Sequence, residues 1–271
     1  MPEGDTIFRA ARTLHRALAG QVVTRFDAAY APLARVHDDT PITGRTIEAV
    51  EARGKHLVIR FSGDLALRTH MRMHGSWHIY RPGERWQRPP REMRVLVGTA
   101  DFVAVGFNVP DAEFEAGEDV GRRDPIARLG PDLLRDDFDP AEAVRRLRER
   151  DTLPIAEALL DQRALAGIGN VFKSEILFEG GVHPETRVAA VPDDWLEALV
   201  SIARRQLAAN VGDAMPRSGR RTTRQLAPDE GLWVYGRSGR PCRRCGTAIA
   251  FARHGAGARP TYWCPNCQPK A

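Results

Sequence analysis

The sequence predicts an α+β multidomain protein: an N-terminal β-sandwich, a helical domain after it, and a metal-stapled β-hairpin at the C-terminal end. Three observations predict this. Between Val22 and Phe107, short apolar runs are separated by Gly, Pro and Asp turns, the pattern of an antiparallel sandwich or barrel. From Pro125 onward the apolar spacing changes to threes and fours, the period of helices. All four cysteines, Cys242, Cys245, Cys264 and Cys267, sit near the C-terminal end as two C-x2-C pairs.

A chain of 271 residues accommodates this division, with boundaries expected at 1–124, 125–232 and 233–271. The net charge of +5 comes from 40 basic against 35 acidic side chains; it is compatible with an acidic partner and too small to identify one. The basic residues are arginines except Lys55, Lys173 and Lys270. Arginine holds its proton, so a lysine in this chain is a candidate for proton chemistry. No run approaches the ~20 apolar residues of a membrane span, and no charged n-region precedes an apolar h-region. The sequence reads as a cytoplasmic monomer with no membrane partner.

The first element is a helix over residues 5–19, with Ile7, Ala10, Ala11, Leu14 and Leu18 on one stripe, Asp5 or Thr6 as cap and Gly20 as stop. The strand-like runs that follow are TIEAVEA, HLVIRF, LALRTHM, SWHIY, RVLVGT and FVAVGF, with RPGERWQRPPRE as a polar loop among them. DPAEAVRRLRER, LPIAEALLDQRAL, GNVFKSEILFEG and DDWLEALVSIARRQLAAN read as helices, and DAMPRSGRRTTRQLAPDEG as a basic loop.

Eighteen residues separate Cys245 from Cys264. Two thiolate pairs at this spacing suit one tetrahedral zinc at ~2.3 Å per sulfur. TAIAFARH and RPTYW, joined by a glycine-rich tip, would form the stapled hairpin, with Arg259 next to Pro260 near that tip. The spacing alone leaves open whether the hairpin is a clip or a nucleic-acid contact. In LAGIGNVFK, Gly167 and Gly169 allow a tight turn into a helix whose N-terminal amides suit a phosphate, with Asn170 as cap or donor. By itself this reads first as an ordinary helical corner, with Asn170 a plain cap. Lys55 precedes an apolar strand, where it is a solvated strand end or a phosphate contact and proton carrier. His70, Arg72, Met73 and His74 form a Met-bearing strand end that is either core or a wedge for stacked bases.

The chain resembles the formamidopyrimidine-DNA glycosylase and endonuclease VIII family. The resemblance rests on PEGD, ARGKHL, THMRMHGSW, ARLGPDLL, LAGIGNVFKSEILFEGGVHP, WVYGRSGRPCRRCG and RPTYWCPNCQ, which run in order nearly end to end. PEGDT, RPTYWCPNCQ and FNVPDAEF resemble the endonuclease VIII branch; the oxidised-purine branch usually carries an Arg and a Phe in the last segment. The resemblance implies a β-sandwich, a helix–two-turn–helix domain and a zinc finger, with DNA in the cleft between and one structural zinc. It implies a glycosylase and AP lyase of base-excision repair, at work on the nucleoid, whose partner is damaged double-stranded DNA, or bubble or single-stranded DNA. Pro2 would be the nucleophile and Glu3 its acid/base partner. Lys55 would assist and hold a phosphate, and Asn170, Lys173 and Arg259 would grip the backbone, Arg259 beside the reacting sugar. Met73, with His70, Arg72 and His74, would fill the gap left by an extruded base. Thr6 stands where many relatives carry a glutamate, the HMRMH loop is typical of neither branch, and the zinc spacer is longer than the family's.

The chemistry this implies explains the opening residues. A secondary amine attacking C1′ gives an iminium, a cationic electron sink that can first expel a base and then acidify the C2′ proton. The amine must be neutral; its reference pKa is ~7.7–8.0, and a helix N-terminus disfavours the protonated form further. Two other readings remain: an oxidised-purine glycosylase, and a zinc-containing DNA-binding protein without catalysis, which would have no need of Pro2, Glu3 and Lys55 together.

Overall fold

The structure is a computed structural model and describes residues 2–116, 125–212, 219–225, 227–255 and 257–270. The chain divides into two units, residues 1–128 and 129–271.

Short apolar runs separated by turns build the first unit. Helix α1 (Gly4–Leu18) leads into β1 (Arg25–Ala28), α2 (Ala31–Asp39), β2 (Ile47–Arg53), β3 (His56–Phe61), β4 (Leu65–His70), β5 (Ser76–Tyr80), β6 (Met93–Gly98), β7 (Val103–Phe107) and β8 (Asp111–Ala116). The strands form two antiparallel sheets, ordered β1-β6-β7-β5 and β2-β3-β4-β8. Leu57, Ile59, Leu65 and Leu67 of one sheet share a core with Phe26, Val95, Val97 and Ala104 of the other. Ile7, Ala11, Leu14 and Leu18 of α1 complete that core, as their helical spacing predicts.

The helix begins earlier than its sequence suggests. Glu3, not Asp5 or Thr6, is the N-cap residue, and its carbonyl accepts from the amides of Thr6 (2.9 Å) and Ile7 (3.1 Å). Asp5 is a buried first-turn acid, 3.7 Å from Arg9, where it complements the helix dipole. Strands β1 and β8 and helix α2 lie outside the anticipated elements.

In the second unit, α3 (Pro140–Arg148) starts at Asp139, whose carboxylate accepts from the amides of Ala141 and Glu142. The stretch expected to form a long helix gives only α4 (Ile155–Ala158); hydrogen-bonded turns follow, in which the Asp161 carboxylate takes the Arg163 amide at 2.9 Å. Helices α5 (Asn170–Glu179) and α6 (Asp193–Ala209) complete an apolar core with Phe172, Ile176, Leu199 and Ala203. Strands β9 (Ala250–His254) and β10 (Arg259–Trp263) form the C-terminal hairpin. Residues 213–218 and 226 of the expected basic loop lie outside the described residues. Among the described residues no helix is long and apolar enough to cross a membrane.

Candidate active site and nucleic-acid contacts

Packing of α1 against β2 decides where the first residues lie. The Gly20 amide donates to the Ile47 carbonyl (2.8 Å), and the Val50 amide donates to His15 Nδ1 (3.1 Å). The C-terminal end of α1 therefore matches the start of β2, and the two run antiparallel. Going back from His15 to Gly4 covers ~17 Å at 1.5 Å per residue; going forward from Val50 to Gly54 covers ~13 Å at 3.3 Å per residue. Pro2 and Glu3 thus lie at the same end of the sandwich as the two-residue turn Gly54–Lys55, which joins β2 to β3. Gly54 has φ +58°, which a glycine adopts at little cost. Glu3 is buried, Pro2 and Lys55 half-buried.

The next two hairpins bring further groups to this end. His56 pairs with His70 across β3 and β4, and His70 pairs with Asp111 across β4 and β8. The loop of residues 71–75 follows directly. Met71 is buried in the core, Met73 is 51% exposed, and Arg72 and His74 are exposed. His70 lies beneath the loop rather than at its tip: its Nδ1 accepts the Arg72 amide at 3.1 Å. The His56 and His70 rings meet edge to face with centroids 4.9 Å apart.

Burial, then the charges of His70, Arg68 and Arg72, lower His56 to about 3 against the opposing pull of Asp111. Burial, then Arg72, lowers His70 to about 4; Lys55 and Arg68 act in the same direction and Asp111 opposes. Both imidazoles are neutral at pH 7. Unfolded histidines take up protons as the pH falls through 6.5, so below that point the unfolded state binds more protons than the folded one. Stability present above pH 6.5 is expected to be lost progressively as pH falls from there toward 4. Thermal unfolding of wild type and of His56→Gln between pH 7 and 4 checks this: the variant should show the flatter dependence, and equal slopes would remove His56 from the account.

In the second unit the turn before α5 is built by Gln162. Its Oε1 accepts the Gly167 amide (3.0 Å), and its Nε2 donates to the carbonyls of Leu160 (2.9 Å) and Ile168 (3.1 Å). Gly167 has φ +108°, which strongly favours glycine. Gly169 is the N-cap residue, so Asn170 is the first helical residue rather than the cap. Asn170 is 4% exposed, and its Oδ1 is buried without a hydrogen-bond partner among the described residues. Buried polar atoms are nearly always paired, so this one is available to a further partner.

Lys173 corrects the sequence reading. It is 1% exposed, and its Nζ donates to the Pro260 carbonyl (3.0 Å) and Thr261 Oγ1 (2.7 Å), so it reaches the hairpin and not the solvent. The Tyr262 amide donates to Ser174 Oγ at 3.4 Å. Helix α5 therefore carries Asn170 at its start and holds, one turn later, the strand that opens with Arg259. Arg259 is exposed at the end of β10.

Glu175, which the sequence did not single out, ties α5 to the segment before the cysteines. It is wholly buried and accepts from the amides of Trp233 (2.7 Å), Val234 (2.9 Å) and Tyr235 (2.8 Å) and from the Thr222 hydroxyl. Burial raises its pKa, and the four donors oppose that. Glu175→Ala is expected to cost roughly 3–5 kcal/mol, because buried donors left unpaired cost ~1–3 kcal/mol each and some regain water. Denaturant unfolding measures it; a loss under 1 kcal/mol, the scale of a surface change, would mean that the donors find other partners.

The four cysteine sulfurs lie within 4.8 Å of one another, with Cys242 to Cys267 at 3.9 Å and Cys245 to Cys264 at 3.4 Å. Sulfurs on a tetrahedral zinc at ~2.3 Å are about 3.8 Å apart, so the set fits one zinc ion. Four thiolates leave no position for water, so the ion is structural. Gln268, also buried, accepts the Cys264 amide and donates to the Val182 carbonyl at 2.8 Å, anchoring the metal site to the helices.

Comparison with known proteins agrees with this architecture. Residues 1–110 match the formamidopyrimidine-DNA glycosylase N-terminal domain, 129–217 the formamidopyrimidine-DNA glycosylase H2TH domain, and 239–270 the zinc finger found in FPG and IleRS. The chain is 47% identical to the probable endonuclease 8 2 of Streptomyces coelicolor, over 99% of this chain and 94% of that protein. It is 40% identical to the DNA-(apurinic or apyrimidinic site) lyase Nei2 of Mycolicibacterium smegmatis, over 99% of each. To endonuclease 8 of Escherichia coli it is 32% identical, over 99% of this chain and 100% of that one. The Lactococcus lactis Fpg in complex with DNA containing an abasic site shares the fold, with a TM-score of 0.81 at 24% identity over 99% of this chain and 100% of that one.

Proposed function

We propose that this chain, an enzyme that belongs to the formamidopyrimidine-DNA glycosylase family and to its endonuclease 8 branch, removes oxidised pyrimidines from damaged DNA and then cleaves the strand. The observation that carries the reading is the gathering of Pro2, Glu3, Lys55 and the loop of residues 71–75 at one end of the sandwich. The oxidised-purine branch usually pairs an Arg with a Phe in the segment that matches residues 107–114, and no Arg stands there; Asn108 turns at φ +49° and Asp111 opens β8. That favours pyrimidines.

The chemistry needs Met1 removed, because the Met1–Pro2 bond makes the Pro2 nitrogen an amide, and then needs a neutral Pro2 amine, which the adjoining N-terminus of α1 favours. Its lone pair attacks C1′, the C1′–N bond to the damaged base breaks, and the base leaves with a proton supplied by Glu3. Opening of the sugar ring gives an iminium with no N–H to lose, so it stays cationic. It draws the C2′ proton toward a base, and the 3′ phosphate departs by β-elimination; a second, δ-elimination releases the 5′ phosphate. Lys55 stabilises phosphate charge. To expose C1′ the nucleotide leaves the stack, at a cost of a few kcal/mol, and Met73 fills the gap. Asn170 and Arg259 hold the backbone. The zinc keeps the Arg259 hairpin folded.

Borohydride trapping on duplexes carrying an oxidised pyrimidine, 8-oxoguanine or an abasic site tests this. A covalent band that maps to the N-terminal peptide, strongest on the oxidised pyrimidine, is expected. A preference for 8-oxoguanine would move the substrate to purines. Binding with no band on any duplex would leave a DNA-binding protein.

A further inference from the structure

The 71–75 loop is held more firmly than its exposure suggests. Met71, at its base, is 2% exposed in the core. The Gly75 amide closes the turn on the Met71 carbonyl at 2.8 Å, so tightly that a Cβ on Gly75 would stand 2.5 Å from that oxygen. Arg72 occupies the left-handed region at φ +49°, which a non-glycine residue adopts only when its surroundings require it. Two contacts supply that requirement. His70 Nδ1 takes the Arg72 amide, and Asp111 Oδ2 takes Arg72 Nε at 2.5 Å. Asp111 is itself fixed by its pairing with His70 across β4 and β8.

We propose that Asp111 is a positioning residue for the wedge: by holding the Arg72 guanidinium it fixes the left-handed turn and presents Met73 as the single apolar tip. The proposal rests on the reading that this loop fills the gap left by an extruded nucleotide. It also gives Arg72 a role different from its neighbours. An arginine free to swing would hydrogen-bond an orphaned base and read its identity. Tied to Asp111, it leaves the gap to a thioether, which packs against any base.

The pair is open to water, with side-chain exposures of 63% for Arg72 and 38% for Asp111. Exposed ion pairs contribute little to global stability, so Asp111→Asn keeps the fold and its effect is confined to the loop. The experiment compares wild type, Asp111→Asn, Met73→Ala and the double variant on a duplex with an oxidised pyrimidine. The same proteins are trapped with borohydride on a single-stranded abasic oligonucleotide, which has no stack to refill. Asp111→Asn is expected to slow duplex excision about tenfold, the scale of a misplaced positioning group, and to leave single-strand trapping unchanged. The double variant should be no slower than Met73→Ala, because Asp111 acts through Met73. Additive losses, or a full duplex rate in Asp111→Asn, would overturn the proposal. A full duplex rate in Met73→Ala would overturn it together with the wedge reading. Absence of wild-type trapping on every substrate would instead remove the glycosylase reading beneath both.

Discussion

Pro2→Gly is expected to lower strand cleavage by at least ~10³-fold, a loss of ~4 kcal/mol of transition-state stabilisation, while duplex affinity changes by less than a few-fold. Glycine keeps an amine in the same place, so the variant isolates what the pyrrolidine contributes. A secondary amine gives an iminium that is cationic at every pH. A primary amine gives an imine that must hold a proton to act as an electron sink. Glycine also lacks the ring that fixes how the nitrogen is turned about its N–Cα bond, so the nucleophile loses its aim just ahead of a helix whose cap residue, Glu3, is buried. Trapping efficiency and fluorescence anisotropy on the same abasic duplex check the two halves of the prediction. Full lyase activity in Pro2→Gly would assign the chemistry to another amine, and Lys55 would be the first to test.

Removal of the zinc is expected to have the second large effect. The β9–β10 hairpin is two strands, and two strands alone are marginal in water. Structural zinc in comparable fingers supplies ~10–16 kcal/mol of binding free energy that is also folding free energy. Chelation, or Cys264→Ser, should therefore unfold the hairpin and disperse Arg259, weakening duplex binding by roughly 100-fold, about 3 kcal/mol. The damage should extend into the helices, because Gln268 and Lys173 join them to the hairpin. The sandwich lies in the other unit and should keep its own unfolding transition. Calorimetry with and without a chelator would resolve the two; unchanged affinity in fully zinc-free protein would show that the hairpin holds without metal.

The parts of the fold that were legible in the sequence are those whose pattern is local. Strands β2 to β7 follow from short apolar runs bounded by turn residues, α1 from its stripe, and the metal site from spacing. Strand β8 alternates, with Asp111, Glu113 and Glu115 on one face and Ala112 and Phe114 on the other, but its acids resemble a loop until Arg68 is seen to take Glu113 and Glu115. Helix α2 carries one buried residue, Leu33, and so has no stripe to find. The candidate catalytic residues were visible as a motif; that they share one end of the sandwich follows from register, which no single segment encodes. Lys173 and Glu175 were the least legible. Helix α5 is buried on every side from Asn170 to Phe178, and a helix with no solvent face gives no rule for which polar residue points outward. Their partners lie 47 to 88 residues away in the chain.

The Glu175 clamp also sets an order of events during synthesis. The amides it collects belong to residues 58 to 60 positions downstream, so α5 leaves the ribosome well before the segment it will hold. Chains fold from the N-terminal side as they are made. Residues 233–235 are therefore expected to dock on a helix that has already formed, and to bury Glu175 as they do so. Metal capture is then expected to come last and to fold the hairpin against the helix that carries Asn170.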